Sequence, residues 1–295
     1  MKRVAVLGGT GMAGNVAVTY LEEQGYDVFF TSLDAPDSGN SKAINAMDLP
    51  ALSGWLDTVK PDVIFNCLGV LQKASDERPD IAVLLNSYLP HYLVRRYNGT
   101  ATKIIHISTD CVFEGTRGGY TETDFCDGKT MYDRTKALGE IVNNKDLTFR
   151  MSIIGPDRNP DGIGLFNWFM KQSGVIRGFT KALWTGVTTI ELARAVDAAI
   201  KQNLAGLYHL VPDKPIDKYS LLLLFRETFD RTDITIEPYD AFSVDKTLIN
   251  TRKDFDFIVQ DYPLQVTSMY EWIKKHAGLY EHYMTGTFPP VISGD

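Results

Sequence analysis

Cysteine is scarce in this chain, which has three cysteines in 295 residues, Cys67, Cys111 and Cys126. None of them has the CxxC or Cys/His spacing of a zinc site, and an odd number of cysteines fits reduced thiols. No cluster of carboxylates suggests another ion. We therefore expect the protein to have neither a bound metal nor a disulfide bond.

Long apolar segments and long basic segments are also missing. The most apolar stretch, YSLLLLF at residues 219–225, is much shorter than the roughly 20 residues that cross a bilayer. The N-terminal MKRVAVLGG does not have the layout of a signal peptide. The formal net charge is −7, and no run of Lys or Arg is longer than two. We expect a cytoplasmic protein with neither membrane nor nucleic-acid partners.

The sequence does contain an alternation of strand patterns and helical patterns. The strand-like runs are RVAVLG, YDVFFTS, DVIFNCLG, KIIHIST and TFRMSII. Continuous apolar strands spaced by helices predict an α/β fold with a doubly wound parallel sheet of the Rossmann type over residues 1–155. After Gly155 the order is less regular, and GVIRGFTKALWTG has no clear pattern. We predict a smaller α/β lobe for substrate over residues 156–295, from which about 187–211 returns to the first domain.

Glycines recur at a fixed interval after the first strand. Gly8, Gly11 and Gly14 have the spacing G-x-x-G-x-x-G. Glycine is required there because a Cβ atom would block the tight turn, the approach of backbone N–H groups to a pyrophosphate, and the contact between helix and strand. The motif predicts a dinucleotide site that includes Thr10 and Met12. The alternative is a plain glycine-rich turn.

The end of the second strand, FFTSLD, bears on which dinucleotide is bound. Thr31 and Ser32 carry hydroxyls that can hydrogen-bond a 2′-phosphate, whereas Asp34 comes late in the sequence for binding a bare ribose. This pattern favours NADPH over NADH. NADH stays open because no arginine lies at this strand end.

A tyrosine and a lysine lie four positions apart in TMYDRTKALGE, so Tyr132 and Lys136 share one face of a predicted helix. A phenol with a pKa of about 10 exchanges protons poorly at neutral pH, but a nearby cation lowers that pKa. The pair could then act as a general acid/base. In the alternative, Lys136 pairs with Glu140 and Tyr132 packs. The reactive pair is favoured because HISTD places Thr109 at the carboxyl end of a strand, where open α/β sheets bind ligands.

These motifs occur in the order found in the extended short-chain dehydrogenase/reductase superfamily. They are the glycine motif, NCLG, STDCVFEG, YDRTKALGE and FRMSIIGP. Within the superfamily the chain most resembles the dTDP-4-dehydrorhamnose reductase family, whose usual strings are STDYVFDG and YG-x-TK-x-x-GE. The resemblance covers residues 1 to about 155 and is thinner beyond them. The chain departs from the family pattern, in ways that bear on loop shape and substrate placement, at Cys111, Gly128, Thr130 and Asp133.

The resemblance implies an NAD(P)H-dependent ketoreductase acting on a nucleotide-linked 4-keto-6-deoxyhexose, in the synthesis of deoxysugars for cell-surface polysaccharides. Tyr132 would protonate the carbonyl oxygen, Thr109 would hydrogen-bond the same oxygen, and Lys136 would hold the nicotinamide ribose and lower the pKa of the tyrosine. A homodimer is one expected assembly. Further cofactor contacts are expected at Asp48, Leu49, Cys67, Leu68 and Gly69. Substrate contacts are expected at Thr109, Asp110, Tyr132, Asn167 and Trp184, and candidates for a diphosphate contact are Arg177, Lys181 and Arg252.

Other functions stay open. An epimerase would keep the same threonine, tyrosine and lysine and recycle bound NAD. A regulatory subunit would keep the nucleotide fold without turnover. A 4,6-dehydratase is disfavoured, because related dehydratases have Thr-Asp-Glu where this chain has Thr109-Asp110-Cys111, and without the glutamate the general base is missing.

Overall fold

Within residues 1–286, the part of the chain that the computed structural model describes, seven parallel strands form one sheet. In one of its inner strands Val4 and Val6 pack on one face and Ala5 and Leu7 on the other, all fully buried. A strand covered on both faces reads as a continuous apolar run, so the predicted Rossmann-type sheet is confirmed. The order across the sheet is β10 (Gly206–His209), β6 (Leu147–Arg150), β5 (Lys103–Ser108), β4 (Val63–Asn66), β1 (Arg3–Leu7), β2 (Asp27–Ser32) and β3 (Ser41–Ala43).

Helices cover both faces of this sheet. They are α1 (Met12–Glu23), α2 (Leu49–Val59), α3 (Gln72–Glu77), α4 (Pro79–Ala82), α5 (Leu89–Arg96), α6 (Met131–Leu138) and α8 (Thr189–Gln202). On one face α1 packs against α8 through Ala17 and Val196. On the other face α2 and α5 bury Leu52 and Leu93. A π-helical turn, Val83–Tyr88, joins α4 to α5, and a 3-10 turn, Asp110–Val112, follows β5.

The second lobe contains a three-stranded sheet in the order β11 (Ile216–Asp217), β8 (Gly174–Trp184) and β12 (Ile234–Asp245). Aromatic side chains from its helices pack beneath the sheet, with Phe166 lying between Phe225 and Tyr283. A separate two-stranded parallel sheet pairs β7 (Ile153–Ile154), which precedes β8 in the chain, with β9 (Val187–Thr188), which follows it. The helices of this lobe are α7 (Leu165–Met170), α9 (Lys218–Thr228), α10 (Tyr262–Lys275) and α11 (Glu281–Thr285), and a 3-10 turn spans Ala277–Leu279.

The structure corrects the expectation of an irregular segment at residues 174–184. Strand β8 runs through all of it, antiparallel to β11 and parallel to β12. Two glycines, Gly174 and Gly178, interrupt the apolar alternation, and the partner of Val175 is Thr235, far along the chain. Pairing of this kind is set by tertiary contact rather than by local pattern.

The predicted second lobe was bounded at residue 295, and residues 287–295 lie outside the described residues. Among residues 1–286, none of the helices has the length and apolar character needed to cross a bilayer. The thiols of Cys67, Cys111 and Cys126 are free.

Candidate active site

The glycine motif forms a tight turn between β1 and α1. Gly8 has a φ of +84°, which favours glycine, and the N–H groups of Gly8 and Gly9 both donate to the Thr31 carbonyl, at 2.7 and 3.0 Å. A Cβ atom on Gly14 would lie 2.0 Å from the Gly8 oxygen. The first turn of α1 therefore lies directly against the glycine turn, and only glycine fits at position 14.

The N-terminus of α1 is left uncapped by side chains. Its N-cap is Gly11, which makes no side-chain cap hydrogen bond, and its first turn contains no acidic residue. The N–H groups that a helix leaves unpaired at this end attract anions, and the helix dipole adds to the attraction. The turn and the uncapped helix fit the pyrophosphate of a dinucleotide, and Thr10 and Met12 lie on either side of Gly11, the N-cap.

The hydroxyls at the end of β2 were expected to bind a 2′-phosphate, but in the structure they are hydrogen-bonded to protein groups. The Thr31 hydroxyl is buried and donates to the Lys42 carbonyl at 2.7 Å. The Thr10 and Ser32 hydroxyls both donate to one oxygen of Asp34, at 2.6 and 2.9 Å. These hydrogen bonds, that of Thr10 first, hold the pKa of Asp34 below its usual range. Asp34 thus lies beside the glycine turn, although its place in the sequence suggested that it came too late.

An arginine contributes positive charge near the same point. Arg158, in the loop that precedes α7, also lowers the pKa of Asp34. The loop reaches α1, because a Cβ atom on Gly164 would lie 3.2 Å from the Met12 sulfur. Sequence reasoning found no arginine at the end of β2, since Arg158 comes from a distant part of the chain.

The other predicted cofactor residues lie along the carboxyl edge of the sheet. Asp48 is exposed and caps α2, accepting a hydrogen bond from the Ala51 N–H at 2.9 Å, and Leu49 begins that helix. Cys67 follows β4 and donates its N–H to the Leu7 carbonyl at 3.0 Å. Leu68 lies against the glycine turn, within 3.1 Å of a Cβ atom built on Gly8, and Gly69 is the next residue.

Thr109 and Tyr132 come together at this edge. The Thr109 hydroxyl accepts from the Cys111 N–H at 3.1 Å and lies 3.2 Å from an Asp110 oxygen, to which it donates. Burial raises the pKa of the Tyr132 phenol far above its usual value, and a hydrogen bond with Thr109 acts in the opposite direction. The phenol is therefore protonated at neutral pH, with a hydroxyl beside it.

The departures from the family pattern start the helix that carries Tyr132. The Thr130 hydroxyl accepts from the Asp133 N–H, and the Asp133 carboxylate accepts from the Thr130 N–H, each at 3.1 Å. This is a capping box, which typically stabilises a helix by about 1 kcal/mol. Gly128 lies against the same residues, since a Cβ atom there would be 2.5 Å from the Asp133 Cβ.

Lys136 is buried rather than paired on the surface. Its ammonium donates to the Ile107 carbonyl at 2.6 Å, and Glu140 is bound to Arg150 instead. Burial lowers the pKa of Lys136 to about 8, while the charges of Glu140 and Cys67 act to raise it. We expected Lys136 to lower the pKa of Tyr132. In the structure the burial of the phenol dominates, and the nearby groups Cys111, Asp110 and Asp133 raise that pKa further.

Sequence reasoning missed Asn86, which connects two of these elements. It lies in the π-helical turn, where its carboxamide accepts from the Val70 N–H at 2.8 Å and donates to the Val70 carbonyl and to the Thr135 hydroxyl at 3.0 and 3.1 Å. The loop after β4 and the helix α6 are held together in this way. The sequence shows only an asparagine within an amphipathic helical stretch, and this pattern does not indicate that the side chain is buried.

Asn167 and Trp184 are less open to a ligand than predicted. The Asn167 amide donates to the Pro160 and Gly162 carbonyls, and its oxygen accepts from the Tyr283 hydroxyl. With its hydrogen-bonding groups occupied, Asn167 shapes the loop before α7. Trp184 is 3% exposed, and its ring lies against Tyr262.

Two lysines of the second lobe face the first lobe at this site. The charges of Lys218 and Lys246 both act on the buried carboxyl of Asp110, whose pKa is raised by burial and lowered by these ammonium groups. The candidate cations are engaged elsewhere, with Arg177 over the Tyr239 ring, Lys181 beside Asp240, and Arg252 bound to the Ala205 and Leu207 carbonyls. The spacing of residues along the sequence gives no signal for lysines that come from another lobe.

Among residues 1–286, no group of three or more His, Cys, Asp or Glu side chains could hold a metal ion.

Comparison with known proteins gives relatives along most of the chain. The dTDP-4-dehydrorhamnose reductase of Salmonella typhimurium is 28% identical over 239 residues, which cover 72% of this chain and 79% of that protein. Methionine adenosyltransferase 2 subunit beta of Xenopus tropicalis is 28% identical over 160 residues, 49% of this chain. The matched region spans only 44% of that subunit's length.

A solved structure of similar fold is dTDP-4-dehydrorhamnose reductase from Bacillus anthracis in complex with NADP. The TM-score is 0.78 at 17% identity, and the alignment covers 92% of this chain and 99% of that one. At this identity the likeness shows the fold. The family described as "RmlD substrate binding domain" matches residues 1–246. The resemblance seen in the motifs is therefore confirmed, and the chain belongs to the RmlD substrate binding domain family.

Proposed function

We propose that the protein is an NAD(P)H-dependent ketoreductase that reduces the 4-keto group of a nucleotide-linked 4-keto-6-deoxyhexose. The observation that carries the proposal is the convergence of Thr109, Tyr132 and the buried Lys136 at the carboxyl edge of the sheet, next to the uncapped glycine turn. The family and the relatives named as dTDP-4-dehydrorhamnose reductases support the same reaction class. The product would serve as a deoxysugar precursor of cell-surface polysaccharides.

Each residue has a role that follows from its chemistry. The reduced nicotinamide, when bound, supplies the hydride. Tyr132 gives its proton to the carbonyl oxygen, and burial keeps the phenol protonated for this step. Thr109 turns its hydroxyl hydrogen from Asp110 to the same oxygen as negative charge develops on it. Lys136 holds the nicotinamide ribose through its ammonium group.

NADPH is the proposed cofactor in preference to NADH. The reductase structure of similar fold was solved with NADP, and Arg158 is near enough to Asp34 to lower its pKa, which makes this guanidinium a candidate partner for a 2′-phosphate. We expect a lower KM for NADPH than for NADH. A strong preference for NADH in steady-state kinetics would contradict this choice.

The reaction is tested directly with purified protein, NADPH and a dTDP- or UDP-linked 4-keto-6-deoxyhexose. Absorbance at 340 nm should fall as the cofactor is consumed, and NMR of the product should show a new C4 hydroxyl. The absence of turnover with every such ketosugar would contradict the proposal. An epimerase would instead release NAD on denaturation of the purified protein and turn over without added NADPH.

A second candidate is a regulatory subunit that binds a dinucleotide without turnover. The match to methionine adenosyltransferase 2 subunit beta favours it, over about half of this chain. The Thr109, Tyr132 and Lys136 set counts against it, because a subunit without chemistry has no need of a phenol bonded to Thr109 and a buried lysine on one helix. The subunit would be supported if the wild-type protein showed no reductase activity and a Tyr132→Phe variant still regulated the partner enzyme. Whether the protein forms a homodimer is a separate prediction, which light scattering tests.

A further inference from the structure

A buried ion pair lies beneath the candidate active site. The Arg150 guanidinium donates to both oxygens of Glu140, at 2.8 and 2.5 Å, and the two side chains are 2% and 7% exposed. Arg150 is the last residue of β6, and Glu140 comes two residues after the end of α6. A bidentate pair of this kind fixes both distance and orientation, and it is costly to break because either charge would be left buried alone.

Glu140 connects the two elements that carry the proposed catalytic groups. The Ser108 hydroxyl donates to the same Glu140 oxygen as Arg150 Nε does, at 2.6 Å. Ser108 is the last residue of β5 and directly precedes Thr109. Glu140 comes four residues after Lys136, just beyond the end of α6. One carboxylate therefore joins the strand end that carries Thr109 to the helix that carries Tyr132 and Lys136.

The far side of Arg150 is held by a neutral histidine. Because arginine can only donate, its bond of 2.9 Å to His209 Nε2 requires that nitrogen to accept. The other ring nitrogen, Nδ1, then carries the proton and donates to the Ile249 carbonyl at 3.0 Å. Burial and the Arg150 charge lower the pKa of His209 to about 4, which keeps the ring neutral at physiological pH.

We propose that Glu140 is a positioning residue that sets Thr109 and Lys136 relative to each other, acting through Ser108 and held in place by Arg150. The inference rests on the proposed ketoreductase function, since it assigns the pair to the alignment of that site. A displacement of 1 Å at a site of this kind can lower a rate by about 100-fold. Glu140 and Arg150 are both buried, and Ser108, His209 and the pair itself occupy their hydrogen-bonding groups.

The charge of Glu140 also acts on Lys136. Its carboxylate raises the pKa of the lysine against the effect of burial. The other titratable groups that face this lysine are Cys67 after β4 and His106 on β5. Removal of the Glu140 charge should therefore lower the pKa of Lys136 and make the amine lose its proton at lower pH.

The test compares Glu140→Gln with Glu191→Gln, a control that also removes a buried carboxylate. Glu191 lies in α8, where it is 1% exposed and bonded to Arg194 and the Gln260 N–H. In Glu140→Gln we expect kcat to fall about tenfold or more, with KM for NADPH within about threefold. The alkaline limb of the pH profile should move to lower pH by roughly half a unit or more. The control should keep the wild-type profile.

A second readout does not depend on turnover. In protein labelled with ¹³C-lysine, the Lys136 signal, assigned with Lys136→Arg, should titrate at lower pH in Glu140→Gln than in the control. If wild type failed the ketoreductase assay, the proposed function would be contradicted. The titration would still show whether Glu140 acts on Lys136, so the two failures can be told apart. Unchanged titration and an unchanged pH profile in folded Glu140→Gln would overturn the inference.

A milder variant decides the matter if Glu140→Gln does not fold. Ser108→Ala removes only the hydrogen bond to Glu140 and leaves the ion pair intact. We expect a several-fold loss of kcat with unchanged NADPH affinity and a folded protein of somewhat lower Tm, because a hydrogen bond to a buried carboxylate is lost. Wild-type kcat in Ser108→Ala would overturn the inference.

Discussion

The Lys218 ammonium lies 4.3 Å from the centroid of the Trp184 ring, where the second lobe faces Asp110. Burial lowers the pKa of Lys218 to about 8, and the opposing charge of Asp110 acts to raise it. The indole N–H of Trp184 is buried without a hydrogen-bond partner. A cation and a buried aromatic ring thus lie together beside Asp110. Trp184 is closed to a ligand, whereas Lys218 keeps partial exposure, so its ammonium is the group of the two that could donate to an oxygen atom of a sugar nucleotide.

Replacement of Lys218 by Met should weaken substrate binding. We expect KM for the nucleotide sugar to rise about tenfold, because one charge-assisted hydrogen bond is lost, while the Kd for NADPH stays the same. Steady-state kinetics and fluorescence titration measure the two quantities. Lys274→Met is the matched control, since Lys274 lies over the Tyr270 ring at 5.1 Å in another part of the lobe. Equal KM values in the two variants would contradict the prediction.

Replacement of Tyr132 by Phe should remove the proton donor and keep the aromatic ring. We expect kcat to fall about 100-fold or more, as is typical for loss of a general acid, with little change in NADPH affinity. Stopped-flow measurement at 340 nm gives the rate. Activity within a few-fold of wild type would show that another group protonates the oxygen.

Replacement of Gly14 by Ala should drive α1 away from the glycine turn. The new Cβ atom would meet the Gly8 oxygen at 2.0 Å, so we expect the free energy of unfolding to fall by about 1–3 kcal/mol and NADPH binding to be largely lost. Urea denaturation and fluorescence titration provide the measurements. Gly54→Ala in α2 is the control, because a Cβ atom there meets nothing within 4 Å. This control should gain up to about 1 kcal/mol from helix propensity.

The burial of Lys136 makes its contribution to stability depend on pH. Its pKa is lowered to about 8 in the native state from an ordinary value of about 10.5. Between these values the unfolded chain binds a proton that the native protein has lost, so this residue adds stability as pH rises from about 8. The difference in unfolding free energy between wild type and Lys136→Met should therefore shift in favour of wild type from pH 7.5 to 9.5. Urea denaturation at both pH values tests the sign, and a shift in favour of the variant would contradict it.

The sequence could predict those parts of the fold that are determined by residues close together in the chain. The run from Val4 to Leu7 has partners on both faces, so its apolar pattern shows a buried parallel strand. Gly8 and Gly14 are required by contacts within one turn. Strand β8 was missed because its pairing with β12 depends on residues that follow much later in the chain.

The same division applies to the candidate site. Tyr132 and Lys136 share a helix, so their spacing suggested a joint role, and the structure shows both close to Thr109 or its strand. The direction of the tyrosine pKa could not be predicted, because it depends on burial by the whole fold. Arg158 and Lys218 were missed for a similar reason, since each reaches the site from the second lobe or from its connecting loop.

One of the two edge strands of the large sheet, β10, consists of Gly206–His209 and pairs with β6. During synthesis on the ribosome, β6 is complete at residue 150, but its partner strand β10 is complete only when residue 209 has emerged. During that interval the edge of β6 presents unpaired N–H and C=O groups, which are prone to pair with other nascent chains. A shortened chain that stops at residue 155 would keep this edge permanently, so the nucleotide half of the molecule should not be obtainable as a well-behaved fragment.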